Sequence, residues 1–175
     1  NYRKTGDADG ISKGIMQWRK MTDSYANFLK GNSTNLSGVA DATDRFIGYA
    51  ESHDEERVVY KALTETTPSG SQTINNLPKV LKRLSAMGAL HLLVPGPKMI
   101  YHFGDLGYDD SIFTCSNGTV NTPSGGATGD CKLSTKPQNQ WTGNWLANTA
   151  RKTVYDDWAK MIDLKTSQNV FENGQ

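Results

Sequence analysis

Arg45-Phe46-Ile47-Gly48-Tyr49-Ala50-Glu51-Ser52-His53-Asp54-Glu55-Glu56-Arg57 is the stretch on which the fold turns. Residues 45–50 form a short apolar run, too short for a helix and suited to a buried strand. An unbroken polar burst follows, from Glu51 to Arg57. A second stretch has the same form: Lys98-Met99-Ile100-Tyr101-His102-Phe103 runs into Gly104-Asp105-Leu106-Gly107. In proteins with parallel strands, reactive groups sit where strands end and loops toward helices begin.

Working outward, apolar spacing predicts three helices. One covers 10–30, through Ile11, Ile15, Trp18, Thr22, Tyr25 and Leu29, and ends at Gly31-Asn32. A second covers 77–94, through Leu77, Val80, Leu81, Leu84, Met87 or Gly88, and Leu92, and is stopped by Pro95-Gly96-Pro97. A third covers 150–165, through Ala150, Val154, Tyr155, Trp158, Met161 and Ile162, with Asn148 or Thr149 as its N-cap. The order helix, strand, helix, strand, long loop, helix implies parallel strands joined by right-handed crossovers. Two strands cannot make a stable parallel sheet, because both faces and both edges need cover. The expectation is therefore a sheet larger than this chain supplies, with its exposed edges paired by another chain or by rearrangement.

Composition narrows the partners. The 175 residues fit one domain, and hydrophobic residues make up 36%, enough for a thin core of the kind a piece of a larger protein would show. A formal net charge of +1 with no basic block points away from nucleic acid and suits a neutral ligand. No apolar run approaches the roughly 18 residues needed to span a bilayer. Asn1-Tyr2-Arg3-Lys4 has neither an initiator Met nor an apolar signal core, and reads like a cut inside a longer chain, with a mature N-terminus as the alternative. The two cysteines, Cys115 and Cys131, flank a loop rich in Gly, Ser, Thr and Asn that closes easily. A crosslink there would remove roughly 3 kcal/mol of unfolded-chain entropy in the simple loop model. It would also require an oxidising compartment. Two unrelated free thiols are the alternative.

The burst after residue 50 is the richest candidate site. On a continuing strand Glu51 and His53 would share a face, and Asp54 would turn with the chain. An imidazole beside a carboxylate can bind neutral hydroxyls and stabilise positive charge, and glycoside hydrolysis, with its oxocarbenium-like transition state, needs both. The plainer reading is a helix N-terminus, where acidic residues complement the dipole. The spacing matches no common metal-ligand pattern. His91 and His102 read as packing or hydrogen-bonding residues. Trp18 and Trp158 fall on helical stripes and read as core, whereas Trp141 and Trp145 lie in the loop and are better placed to meet a sugar face.

Tyr49-Ala50-Glu51-Ser52-His53-Asp54 resembles the fourth conserved region of the α-amylase family of glycoside hydrolases, family 13, which reads Phe-Val-x-Asn-His-Asp at the end of the seventh barrel strand. Pro95-Gly96-Pro97 and the following residues to Tyr108 resemble the family's eighth strand with its Gly-Glu/Asp-x-Gly exit. Cys131-Lys132-Leu133-Ser134-Thr135-Lys136-Pro137 is similar to the approach to the last barrel helix. The resemblance covers roughly residues 40–165, and its two main motifs stand in order, about 45 residues apart. Ser52 departs from the usual Asn.

The resemblance implies an α/β fold, a partial (β/α)8 TIM barrel comprising the segments around strands seven and eight with flanking helices, with residues 1–175 as the C-terminal part of the catalytic domain. It implies a retaining α-glucan hydrolase acting on α-1,4-glucosidic bonds of starch or maltodextrin outside the cytoplasm, in the extracellular space, the periplasm or at the cell surface. Asp54 matches the carboxylate that stabilises the transition state. His53 matches the histidine that contacts the same sugar, and Arg57 belongs to the substrate-binding run. The family's nucleophile and acid/base come from strands four and five and have no counterpart here, so this chain alone is expected to be inactive. The usual calcium site is built mainly from the same upstream part, which places calcium in the parent enzyme and no cofactor in this chain. The competing reading is a non-catalytic carbohydrate-binding or structural protein.

Overall fold

A computed structural model describes residues 17–40, 46–65, 74–121 and 142–173. Three parallel strands, β1 (Gln17–Lys20), β2 (Phe46–Tyr49) and β3 (Lys98–Met99), lie side by side in chain order. Gln17 pairs with Phe46 through to Lys20 with Tyr49, while Gly48 pairs with Lys98 and Tyr49 with Met99. The Met21 amide carries the first ladder one residue further by donating to Tyr49 O at 3.0 Å. Because the strands are parallel, their C-terminal ends share one edge of the sheet, and the segments after Lys20, Tyr49 and Met99 emerge together.

The four longest helices among the described residues pack chiefly on one another: α1 (Thr22–Lys30), α2 (Val58–Thr64), α3 (Leu77–Leu92) and α4 (Thr149–Ser167). The stripe Val80, Leu81, Leu84 and Met87 on α3 is fully buried, as apolar residues at spacings of three and four require. It meets Tyr25 and Leu29 of α1, Val58, Val59 and Ala62 of α2, and Val154 and Trp158 of α4 in one cluster. Among the described elements the α3–α4 contact is the most extensive. Within it Gly88 faces the Trp158 ring, where an added Cβ would stand 2.3 Å from Nε1. Trp158 Nε1 donates to Leu84 O at 3.1 Å, so this buried indole is satisfied.

The helix ends follow local chemistry. Gly31 adopts a left-handed φ of 83° after α1, and the amides of Gly31 and Asn32 donate to Phe28 O and Asn27 O at 3.0 Å each. Asn76 caps α3 through the Lys79 amide. Of the two N-cap candidates for α4, the structure selects Asn148, whose side-chain oxygen accepts from the Ala150 and Arg151 amides at 3.0 and 3.2 Å.

This architecture corrects the expected partial barrel. The described residues form a small three-stranded parallel sheet dominated by helix-on-helix packing, and the strand-seven and strand-eight segments of a (β/α)8 barrel are not what they show. Closing a barrel requires every strand to carry a full ladder to both neighbours at a constant stagger. β3 offers two residues to that task. The run expected to extend to Phe103 leaves the sheet after Met99 and enters a tight turn, where Phe103 takes a left-handed φ of 59°. The Phe103 carbonyl holds that turn by accepting from the Leu106 and Tyr108 amides, each at 3.1 Å.

The helix expected over 10–30 is also corrected. Gln17–Lys20 is a strand, and the helix starts at Thr22. Trp18, Thr22, Tyr25 and Leu29 keep helical spacing across a strand–helix junction, so periodicity alone could not see the break. Ile11 and Ile15, the other members of that stripe, lie outside the described residues, as do Trp141, Cys131 and the segment after it.

Candidate functional site

The site candidate occupies the shared C-terminal edge of the sheet. The chain is buried progressively as it leaves β2, with Tyr49, Ala50 and Glu51 all below a tenth exposed. The chain then bends through residues 53–55. Ser52 shapes the bend: its Oγ accepts from the Asp54 amide at 3.1 Å and donates to the Glu55 carboxylate. Tyr49 donates its hydroxyl to Glu55 Oε1 at 3.2 Å. Burial, reinforced by the Glu55 and Asp54 carboxylates, pushes the Tyr49 hydroxyl up to about 12, so it stays a protonated donor at neutral pH.

This bend turns His53 and Asp54 outward. His53 Nε2 lies 3.3 Å from Asp54 Oδ1, and the two side chains are 61% and 69% exposed. They line a cleft of about 250 Å³ together with Trp18 from β1, Tyr49 and Ser52 from β2 and its loop, and Met99 from β3. Pockets for drug-sized ligands run from roughly 300 to 1,000 Å³, so this space suits one small ring or the end of a longer chain. A separate void of about 10 Å³, bordered by Glu51, His91, Tyr101 and Trp158, is too small for any sugar.

The acidic run divides into distinct jobs. Glu51 is buried and points away from His53, so the shared face expected for them does not occur: strand alternation ends at Tyr49, before either residue. Glu51 Oε1 accepts from the Val58 amide at 2.8 Å at the start of α2, which is the helix-terminus role of the plainer reading. Burial pushes its carboxyl up against the pull of Arg57. Glu56 accepts from the Arg57 and Ile112 amides at 2.9 and 2.8 Å and from the Ser111 hydroxyl, tying the loop to the 111–121 segment. Glu55 is held by Tyr49 and Ser52. Asp54 therefore remains as the carboxylate of this run that faces the cleft, paired with His53.

Arg57 sits underneath, with no exposed side-chain surface. Its Nη2 donates to His102 O at 2.6 Å, and its guanidinium lies 5.0 Å from the Tyr101 ring centre and 4.5 Å from that of Tyr108. It thereby joins the loop after β2 to the turn after β3. Trp145 is likewise a packing residue: Arg151 stacks 3.9 Å over its ring and Tyr108 lies 5.5 Å away. His102 is exposed and stacked on Phe103 at 5.6 Å. His91 is buried between Tyr25 and Met99 O.

Cys115 is disulfide-bonded; Cys131, its expected partner, lies outside the described residues. No cluster of three or more His, Cys, Asp or Glu side chains suited to a metal ion occurs among the described residues. No described helix is long and apolar enough to cross a membrane.

Trp18, Tyr49 and Met99 line the cleft, and sequence reasoning did not select them for it. Trp18 was hidden by its helical spacing to Thr22 and Tyr25. The signal that separates it is the Thr22-Asp23-Ser24 cluster, a helix-start composition just after the strand. Comparison with protein-family models and with curated proteins found no match for this chain.

Proposed function

We propose that this chain contributes the sugar-contacting corner of a retaining α-glucan hydrolase of the α-amylase type, acting on α-1,4-glucosidic bonds of starch or maltodextrin. The observation that carries the reading is the outward-facing His53–Asp54 pair at the mouth of the cleft, in the motif whose resemblance is to that family. In this reading Asp54 stabilises the oxocarbenium-like transition state and His53 binds a hydroxyl of the same ring. Arg57 acts from below, holding the loop that presents them. Retaining catalysis needs a nucleophile and an acid/base roughly 5–5.5 Å apart. Glu51, Glu55 and Glu56 are committed to structural partners, so those two groups are supplied from outside the described residues, and the chain by itself binds glucan without turning it over.

Among the described residues β1 and β3 have one sheet neighbour each, and parallel-sheet physics expects their outer edges to be covered, which favours pairing with a further chain. The Cys115 disulfide favours residence in an oxidising compartment outside the cytoplasm.

The test is calorimetric titration of the purified chain with maltoheptaose, run beside a reducing-sugar assay on soluble starch. Millimolar binding that is lost in Asp54→Ala and His53→Ala, with no sugar release, is expected. No binding at any accessible concentration would remove the reading, and starch hydrolysis abolished by Asp54→Ala would overturn the claim that the chain is inactive alone.

A further inference from the structure

We propose that Trp18 is the platform on which the apolar face of the bound sugar ring rests, making it a residue that selects pyranoses over open-chain polyols. The inference rests on the reading above and adds the residue that sets its specificity. A hexopyranose presents two chemistries, hydroxyls around its rim and C–H groups on its faces. The cleft carries both complements: Ser52, His53 and Asp54 are polar, while Trp18 and Met99 are apolar.

Trp18 is placed for this by the strand that the sequence disguised. It lies on β1 opposite Ile47, and its ring meets Tyr49 edge-on, with centres 5.7 Å apart and planes at 84°. Tyr49 is fixed in turn, since its hydroxyl donates to Glu55, which Ser52 also holds. The indole is thus braced by the same network that shapes the His53–Asp54 bend, and a ring braced before binding loses little freedom when a ligand arrives. Trp158 provides the contrast. It is 3% exposed, as a core tryptophan should be. Trp18 stays partly exposed at the cleft. A nucleobase would also stack on such a ring, but the site beside it is acidic and the chain carries a net charge of only +1, which disfavours phosphate-bearing ligands.

The experiment uses the whole 175-residue chain, titrated with maltoheptaose and with sorbitol, in wild type, Trp18→Ala and Trp18→Phe. Binding is read by calorimetry and by the indole N–H signal of residue 18 in proton–nitrogen spectra, assigned by its loss in Trp18→Phe. We expect maltoheptaose to move that signal and sorbitol not to. Trp18→Ala should weaken maltoheptaose binding about tenfold, whereas Trp18→Phe should keep it within about threefold, as an aromatic contact of ordinary strength implies. If wild type binds maltoheptaose while the residue 18 signal stays still and Trp18→Ala binds equally well, the platform is overturned and the reading of His53 and Asp54 stands. If wild type does not bind, both fall. Should Trp18→Ala fail to fold, the wild-type signal and Trp18→Phe decide the question alone.

Discussion

Glu51 Oε2 and Arg57 Nη2 meet at 3.0 Å with neither side chain reaching solvent, one on each side of the loop that displays His53 and Asp54. The contact is an ion pair without hydrogen-bond alignment: Nη2 is directed at His102 O, and Glu51 Oε2, Arg57 Nε and Arg57 Nη1 have no hydrogen-bond partner among the described residues. The pair's strength therefore lies in mutual charge compensation within the buried interior. Removing one member strands the other, which for buried pairs costs about 3–5 kcal/mol. Arg57→Met should lower unfolding stability in urea by that order. The double variant Glu51→Gln/Arg57→Met should lose clearly less, and an equal loss in both would show that compensation is not what Arg57 provides.

Gly88 lies inside α3, where glycine is worse than alanine by about 0.5–1 kcal/mol. Propensity alone therefore makes Gly88→Ala stabilising. Packing says the opposite, because the new Cβ would stand 2.3–2.8 Å from three atoms of the Trp158 ring. Overpacking typically costs about 1–3 kcal/mol, which exceeds the propensity gain. We predict a net loss on thermal or urea unfolding, with a shift in tryptophan emission as the α3–α4 contact opens. A stability gain would mean that Trp158 moves aside freely.

His91 sets a pH dependence. Burial lowers it to about 4, with Lys98 and Lys165 pushing the same way and the bond to Met99 O opposing. Its Nε2 lies 3.3 Å from Met99 O, so Nε2 carries the hydrogen of the neutral ring, and Nδ1 is left to accept from Tyr25 Oη at 3.4 Å. Between about pH 6.5 and 4 the unfolded chain takes a proton that the folded chain refuses. The stability from neutral His91 is therefore complete above about pH 6.5 and is lost as pH falls toward 4, by about 3 kcal/mol in total. Urea midpoints measured across that range should fall accordingly, and the slope should flatten in His91→Gln. An unchanged slope in that variant would assign the effect elsewhere.

The Cys115 disulfide bears on the site through Glu56, whose carboxylate binds Ser111 and Ile112 just before the bridge. Peptide mapping without reductant should find Cys115 joined to Cys131 within one chain. Reduction should cost roughly 3 kcal/mol of stability, the value for a loop of about 15 residues. An intermolecular Cys115–Cys115 link on the same map would overturn the pairing.

The segment from Glu51 to Arg57 shows how far residue order could carry the reading. The apolar run before it, the polar burst, the stripe of α3, the stop at Pro95-Gly96-Pro97 and the Asn148 cap are all legible in the sequence, because each rests on neighbours one to four residues apart. The sequence also brings His53 and Asp54 together as candidates, since they are adjacent. It could not divide the labour among the four carboxylates. That depends on Val58, Ser111, Ile112 and Tyr49, which reach them only once the chain has folded. β1 was invisible for the same reason: a strand exists through the partner it pairs with, and Gln17–Lys20 finds β2 some thirty residues away. The tertiary structure alone decided that Trp18 faces the cleft, that Arg57 lies beneath it, and that the three described strands lie parallel in chain order. Local spacing encodes which faces are apolar, whereas burial and pairing are set by distant contacts that no local pattern records.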